Sequence, residues 1–427
     1  MDKLQINPVS LIRVLSMALG LTLEGVNMHH VRVAILCRNI AERMNMPFDG
    51  QQKLVEAALL HDIGAASSHN ERRTLLTPDG EDRLGVTIHT HAEKGYSLLR
   101  GSRCFSGLAD IVRLHHSYWD GTGNPSGLER EAIPLESHII HLADRVDVLI
   151  NARQPVLQQT VSICDNIKSK SGTQFSPQVT GAFLESAQAE RFWLDINNTG
   201  YAETFFAEVA GWGQQYFSLT DVLDIAELFA SLIDRISPFT ATHSRSVSGV
   251  AALLAGQCGF SSKEQSMIRI AGLLHDLGKL SVPNAILEKN GKLDKQEFCT
   301  IRQHTYYTYR LLEQIDSFEA IAEWAAFHHE TLDGSGYPFK KKADSLPLGS
   351  RIMAVADIFV ALSENRPYRD GLDRESIERI MYGMADSNKI DRHIVAVLFD
   401  NFQSAYDVVR SAEAMPHEKL KNALRAI

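Results

Sequence analysis

The feature that most constrains this chain is an internal repeat. His29 precedes His243 by 214 residues, and His61-Asp62 precedes His275-Asp276 by the same 214. After a one-residue deletion the offset becomes 213, pairing His91 with His304, His115-His116 with His328-His329, and Asp144 with Asp357. The flanks follow: EAALLHDIG lies against IAGLLHDLG, HHSYWDGTGNP against HHETLDGSGYP, and IPLESHIIHLADRVDVL against LPLGSRIMAVADIFVAL. Only 17 of 427 residues are histidine, so five histidine-on-histidine matches in one register require a duplicated unit. The expected domains are 1–213 and 214–427, with the join between Gly211 and Ser218.

Apolar residues recur every three or four positions, and alternating β-branched runs are scarce, so the periodicity predicts helices. Val222, Ile225, Ala226, Phe229, Leu232 and Ile233 form one stripe, opened by Ser218 or Thr220 as N-cap and closed before Pro238. Ile321, Trp324, Ala325 and Phe327 form another, ended by the Asp333-Gly334-Ser335-Gly336 turn. The expected fold is all-α: two tandem helical bundles that pack on each other.

A net charge of -9 disfavours DNA or RNA as a general partner, so any phosphate must be held by local charges. Five scattered cysteines without CxxC spacing (Cys37, Cys104, Cys164, Cys258, Cys299) read as reduced thiols rather than disulfides or a zinc-thiolate site. The apolar stretch from Val9 to Leu23 contains Arg13 and lacks a basic leader and a cleavage site, which predicts a buried helix. The expected protein is cytoplasmic, with no membrane partner.

The chemistry concentrates in His243, His275, Asp276, His304, His328, His329 and Asp357. Imidazole and carboxylate together suit borderline divalent metals, Fe or Mn above all and Ni as well. Seven ligands exceed what one open catalytic ion takes. Two ions sharing a carboxylate fit better, with Asp276, beside a ligand histidine, as the bridge. Such a pair acidifies a water and stabilises the attacking and leaving oxygens of an in-line displacement, which phosphodiester hydrolysis needs.

These residues stand in motifs: HDLGK at 275–279, HHETLDGSGYP at 328–338, VADIF at 355–359 and NRPYR at 365–369. Over some 150 residues the C-terminal copy resembles the HD-GYP family of cyclic dinucleotide phosphodiesterases. The resemblance implies hydrolysis of cyclic di-GMP or 3′,3′-cyclic GMP-AMP to the linear 5′-phosphorylated dinucleotide. The tandem arrangement is similar to that of vibrio cyclic GMP-AMP phosphodiesterases, which favours 3′,3′-cGAMP. It further implies that His243, His275, Asp276 and Asp357 hold one ion, and Asp276, His304, His328 and His329 the other. Lys279 then reaches the scissile phosphate, and Arg366 and Arg369 clamp phosphate. Tyr337 stacks or hydrogen-bonds to substrate, while Gly336 and Pro338 shape its turn. The Lys340-Lys341-Lys342 run either rims the site or is a solvated loop.

Three positions depart from the family. Phe239 stands where members with three metals carry a glutamate, so two ions are expected. Ser237 and Val360 stand where aspartates commonly orient the ligand histidines.

The N-terminal copy retains every ligand type, at His29, His61, Asp62, His91, His115, His116 and Asp144, with His30 competing for the role of His29. Ala65 replaces Lys279, Asn124 replaces Tyr337, Ser117 replaces Glu330 and Val156 replaces Arg369; Arg153 alone matches a phosphate arginine. It could still bind metal and is expected to serve as a structural, regulatory or weakly active partner domain. Two competing readings are an HD-type phosphohydrolase acting on mononucleotides and a non-enzymatic nucleotide sensor.

Overall fold

In the computed structural model the described residues are 6–21, 28–65, 74–77, 80–122, 127–212, 216–236, 242–289, 291–365 and 370–414. Arg366, Arg369, Ser237, Phe239 and Asn124 therefore lie outside them. Among the described residues the protein is helical, with only two isolated β-bridges, Ile6 to Phe217 and Ser171 to Phe175. None of these helices is long and apolar enough to cross a membrane.

The chain divides into two compact units, Asn7–Gln215 and Tyr216–Ile427 with Met1–Ile6. In the first, the apolar stretch near the start forms the helix Pro8–Gly20, with Asn7 capping it by accepting from Val9 N. The helices His29–Arg43, Phe48–Leu60, His89–Arg100 and Leu135–Leu149 carry or adjoin most of its candidate metal ligands. In the second unit the corresponding helices are His243–Gln257, Ser262–Leu274, Lys295–Leu312 and Leu348–Ser363.

The second unit opens with the helix Leu219–Ile236. Ser218 caps it: its hydroxyl accepts from Asp221 N while the Asp221 carboxylate accepts from Ser218 N and Oγ. All six residues of its predicted stripe are buried, each contributing about 1.5–3 kcal/mol where the side chain is large. Ile321, Trp324, Ala325 and Phe327 are buried as expected, at and just beyond the helix Glu319–Ala326.

Glycine permits one contact that positions the centre in both units. Gly278 lies so close to the helix carrying His304 that a Cβ on it would stand 1.9 Å from the His304 carbonyl oxygen. At Gly64 the same atom would stand 2.0 Å from the His91 carbonyl oxygen. The Thr308 hydroxyl adds a stitch in the second unit, accepting from Gly278 N and donating to the His275 carbonyl. Gly95 occupies the matching place in the first unit.

Candidate metal centres

Five of the candidate ligand histidines are aimed by the end or turn of helix that carries them. His275 follows the last residue of Ser262–Leu274, and its Nδ1 donates 2.8 Å to the carbonyl three residues back, at Gly272. His304 does the same to Ile301 and His328 to Ala325, both at 2.6 Å. A carbonyl can only accept, so the proton sits on Nδ1 and the Nε2 lone pair is turned inward. In the first unit His61 bonds Ala58 at 2.7 Å and His115 bonds Val112 at 2.6 Å.

His243 and His29 cannot use this device, because each begins its helix and has no preceding turn. A carboxylate replaces the carbonyl. His29 Nδ1 is 2.7 Å from Asp147 Oδ2, which Arg32 also engages. His243 Nδ1 is 3.1 Å from Glu364 Oε2. Val360 matches Asp147 in the repeat and offers no acceptor. Glu364, one helical turn further on, supplies it. Sequence reasoning missed Glu364, although the conspicuous Val360 marked the gap it fills.

In the second unit all seven expected ligands come together. The ligand atoms of His243, His275 and Asp276 lie within 4.8 Å of one another, as do those of His304, His328 and His329. Asp276 spans the two groups: Oδ2 is 3.2 Å from His275 Nε2 and Oδ1 is 3.4 Å from His304 Nε2. Asp357 Oδ1 is 3.1 Å from His243 Nε2 and 3.9 Å from His275 Nε2. Lys279 is hydrogen-bonded to Asp276 Oδ2.

The electrostatics are those of a cation site. Burial, reinforced by neighbouring imidazoles, lowers His328 well below its ordinary value and lowers His329. Burial also takes His304 down to about 3, so these rings are neutral, the form in which an imidazole can ligate. Burial opposes ionisation of Asp276 and Asp357, but the surrounding histidines, and Lys279 for Asp276, hold both below the usual carboxylate range. His243 is the exception: burial pulls it down, yet bonds to Asp357 and Glu364 push it up to about 10. A metal binding at its Nε2 must therefore displace a proton.

The first unit builds the same centre. Its groups are His29, His61 and Asp62, and Asp62, His91, His115 and His116, so Asp62 belongs to both. His29 Nε2 is also 3.4 Å from Asp144 Oδ1. His29 is the counterpart of His243. His30 does not displace it but faces the centre as well, with Nε2 3.8 Å from Asp62 Oδ2. The matching residue in the second unit, Ser244, instead bonds the buried Asp234 at 2.7 Å. A further cation, Arg145, sits beside a ligand, 2.7 Å from Asp144 Oδ2.

Both centres fit divalent ions. Among the described residues the buried Nε2 atoms of His29 and His61 have no hydrogen-bond partner, and His304 Nε2 faces His328 Nε2 at 3.4 Å, two inward-turned lone pairs with no proton between them. A cation there relieves both. The donor set, imidazole with carboxylate and no thiolate, agrees with Fe, Mn or Ni.

The loop beyond His329 is held by Glu330, which the repeat marked only as the residue that Ser117 replaces in the first unit. The buried Glu330 carboxylate accepts from Phe339 N at 2.6 Å and Lys341 N at 3.1 Å, folding the loop back. Gly336 allows the closure, since a Cβ there would fall 2.5 Å from Glu330 Cα. Tyr337 is thereby brought to 5.0 Å from the His329 ring. The lysine run is engaged locally: Lys340 bonds the Ser335 carbonyl, and Lys341 lies over the Phe327 ring.

Set against known proteins, the HD-domain family pattern matches the chain twice, over residues 13–179 and 227–394. The chain belongs to the HD-domain family. It is 29% identical over 398 residues to 3′3′-cGAMP-specific phosphodiesterase 1 of Vibrio cholerae, covering 89% of this chain and 88% of that protein. It is 33% identical over 331 residues to 3′3′-cGAMP-specific phosphodiesterase 3 of the same organism, covering 76% and 70%. The crystal structure of a cyclic GMP-AMP specific phosphodiesterase from V. cholerae matches with a TM-score of 0.64 at 24% identity, over 96% of this chain and 98% of that one. The all-α fold is thus shared along nearly the whole chain.

Proposed function

We propose that the chain is a metal-dependent phosphodiesterase that hydrolyses a cyclic dinucleotide to the linear 5′-phosphorylated dinucleotide at its C-terminal centre, with 3′,3′-cGAMP preferred to cyclic di-GMP. The observation that carries this reading is Asp276, whose two oxygens face separate groups of histidines while Lys279 bonds one of them. The names of the two vibrio relatives support the substrate class and the preference.

Two divalent ions, when bound, supply an acidified water and neutralise charge on the phosphoryl group. His243, His275, Asp276 and Asp357 would hold one, and Asp276, His304, His328 and His329 the other. Buried Nδ1 bonds fix the ring orientations in advance, so little reorganisation is left for the reaction. Lys279 is half-buried, and although loss of water opposes its charge, Asp276 raises its pKa above the ordinary value, so it enters the reaction protonated. Its ammonium stands beside the bridging carboxylate and is placed to meet developing charge on a phosphate oxygen. Arg366 and Arg369 are assigned to phosphate on the family resemblance, and Tyr337 to the substrate.

The N-terminal centre is read as metal-holding and without turnover. Asp62 has the bridging position, but Ala65 leaves it without the ammonium, and the nearby Arg145 is committed to Asp144.

The test is a panel of 3′,3′-cGAMP, cyclic di-GMP, cyclic di-AMP and nucleoside mono- and triphosphates, given to full-length protein reconstituted with Mn(II) or Fe(II). Linear dinucleotide from 3′,3′-cGAMP is the expected product by mass spectrometry. Release of phosphate from mononucleotides alone would move the chain to the competing class, and no turnover of any substrate would make it a sensor.

A further inference from the structure

Beside the C-terminal centre, on the outward face of the helix Lys295–Leu312, lies a groove of about 430 Å³ lined by Cys299, Arg302, Gln303, Tyr306, Tyr307, Tyr337 and Pro338. We propose that this groove seats a guanine base of the cyclic dinucleotide, held by stacking on tyrosine and read at its edge by Arg302. The proposal rests on the functional reading above and adds to it a base-recognition site.

Position is the first argument. His304 points inward from the same helix, and Tyr337, the opposite wall, packs 5.0 Å from the ring of His329. A substrate whose phosphate lies over the two groups of histidines therefore has this groove within reach of its neighbouring base. The volume lies in the range of small-ligand sites.

Chemistry is the second. The Arg302 guanidinium lies over the Tyr337 ring, 4.7 Å from its centroid, and 5.9 Å from that of Phe298. It has no ion pair or hydrogen bond among the described residues. An arginine held against an aromatic ring with its donors unspent is suited to the O6 and N7 acceptors of guanine. Tyr306, one helical turn on, has Arg310 over its ring at 5.1 Å from the centroid and still leaves 41% of its surface exposed for a base to stack on.

The N-terminal copy supplies the third. The residues matching Arg302, Gln303, Tyr306 and Tyr307 are His89, Thr90, Glu93 and Lys94. Glu93 is taken up by Arg113 at 2.6 Å. The copy that lacks the Lys279 ammonium also lacks this aromatic and cationic surface, so the two features vary together.

The experiment compares full-length, metal-reconstituted wild type with Arg302→Ala, Tyr306→Ala and Tyr306→Phe. Metal content is measured alongside kcat and KM on 3′,3′-cGAMP, cyclic di-GMP, cyclic di-AMP and bis(p-nitrophenyl) phosphate, a diester without a purine. For Arg302→Ala, the ratio of kcat/KM on cyclic di-GMP to that on bis(p-nitrophenyl) phosphate should fall about tenfold or more, mainly through KM. The loss on cyclic di-AMP should be smaller. Tyr306→Ala should lower all the cyclic dinucleotide ratios, and Tyr306→Phe should restore them.

Equal losses on bis(p-nitrophenyl) phosphate would mean that Arg302 serves phosphate, and would overturn the proposal. So would equal losses on cyclic di-AMP, loss of metal from either alanine variant, or kinetics unchanged from wild type. A wild-type protein that cleaves bis(p-nitrophenyl) phosphate but no cyclic dinucleotide would instead overturn the functional reading itself.

Discussion

The two copies bring the same set of histidines and aspartates together and differ in how some of them are held and in what surrounds them. In the C-terminal centre the bridging Asp276 carries an ammonium, Ser244 turns away to Asp234, and a half-open aromatic groove adjoins. In the N-terminal centre Ala65 removes the ammonium, His30 faces the bridging Asp62, and Arg145 covers Asp144. Ligand geometry alone does not separate a hydrolytic centre from one that only holds metal. On the proposed reading, the cations around the bridge, and whether they are free to meet a phosphate, make that separation.

The comparison breaks most sharply at the bridge. Asp276→Ala should abolish release of linear dinucleotide, because the shared ligand of both ions is lost. Asp62→Ala should strip metal from the N-terminal unit and leave most of the turnover. Assaying the two variants side by side decides the matter, since comparable residual activity in both would undo the division of roles.

A narrower cut is Lys279→Ala, which should leave metal content unchanged and lower kcat about 10²-fold or more, the usual cost of losing one well-placed electrostatic group. Metal analysis and single-turnover kinetics check it. Loss of metal would make the lysine a support for Asp276 rather than a partner of phosphate.

Smaller still is the effect of the carboxylates behind the first histidines. Glu364→Ala and Asp147→Ala should each weaken metal binding in their own copy about 10–100-fold, by releasing the His243 or His29 ring. Competition with a chelator measures both. Equal retention by wild type and Glu364→Ala would show that Glu364 does not replace the aspartate missing at Val360.

The mildest test is pH. In the metal-free protein, His304 titrates at about 3, with His328 and His329 also lowered, whereas an unfolded histidine titrates near 6.5. The unfolded chain thus binds more protons between those values, so the contribution of these rings is present above about 6.5 and is lost as pH falls towards 3. His243 acts in the opposite sense: its contribution is fully present below about 6.5 and is lost as pH rises from there through about 10. The urea midpoint of chelated protein should drop from pH 7 to pH 5, and excess Mn(II) at pH 7 should raise it.

How far the sequence could be read follows from where each residue gets its meaning. The fourteen candidate ligands could be picked out because their chemistry recurs in register across the repeat, and the helical fold was legible because its stripes recur every three or four residues. Glu364 was not, since it lies just past the end of its helix and acts through a histidine more than a hundred residues away in sequence. Arg145 stands where the other copy has Ile358, so the register gave no reason to notice it. Arg302 and Tyr306 resembled any exposed helix face. Only the folded loop bearing Tyr337 turns that face into a wall of a groove.

Gly278 and Gly64 press their turns onto the carbonyl of the neighbouring helix by backbone contact alone, a contact indifferent to metal, substrate or the residue one place further on. After a duplication, such a joint lets one daughter copy drift at its reactive side chains while its architecture stays intact. The scaffold and the chemistry are thereby inherited separately, so a silent copy can persist as a well-folded protein and acquire a different occupation.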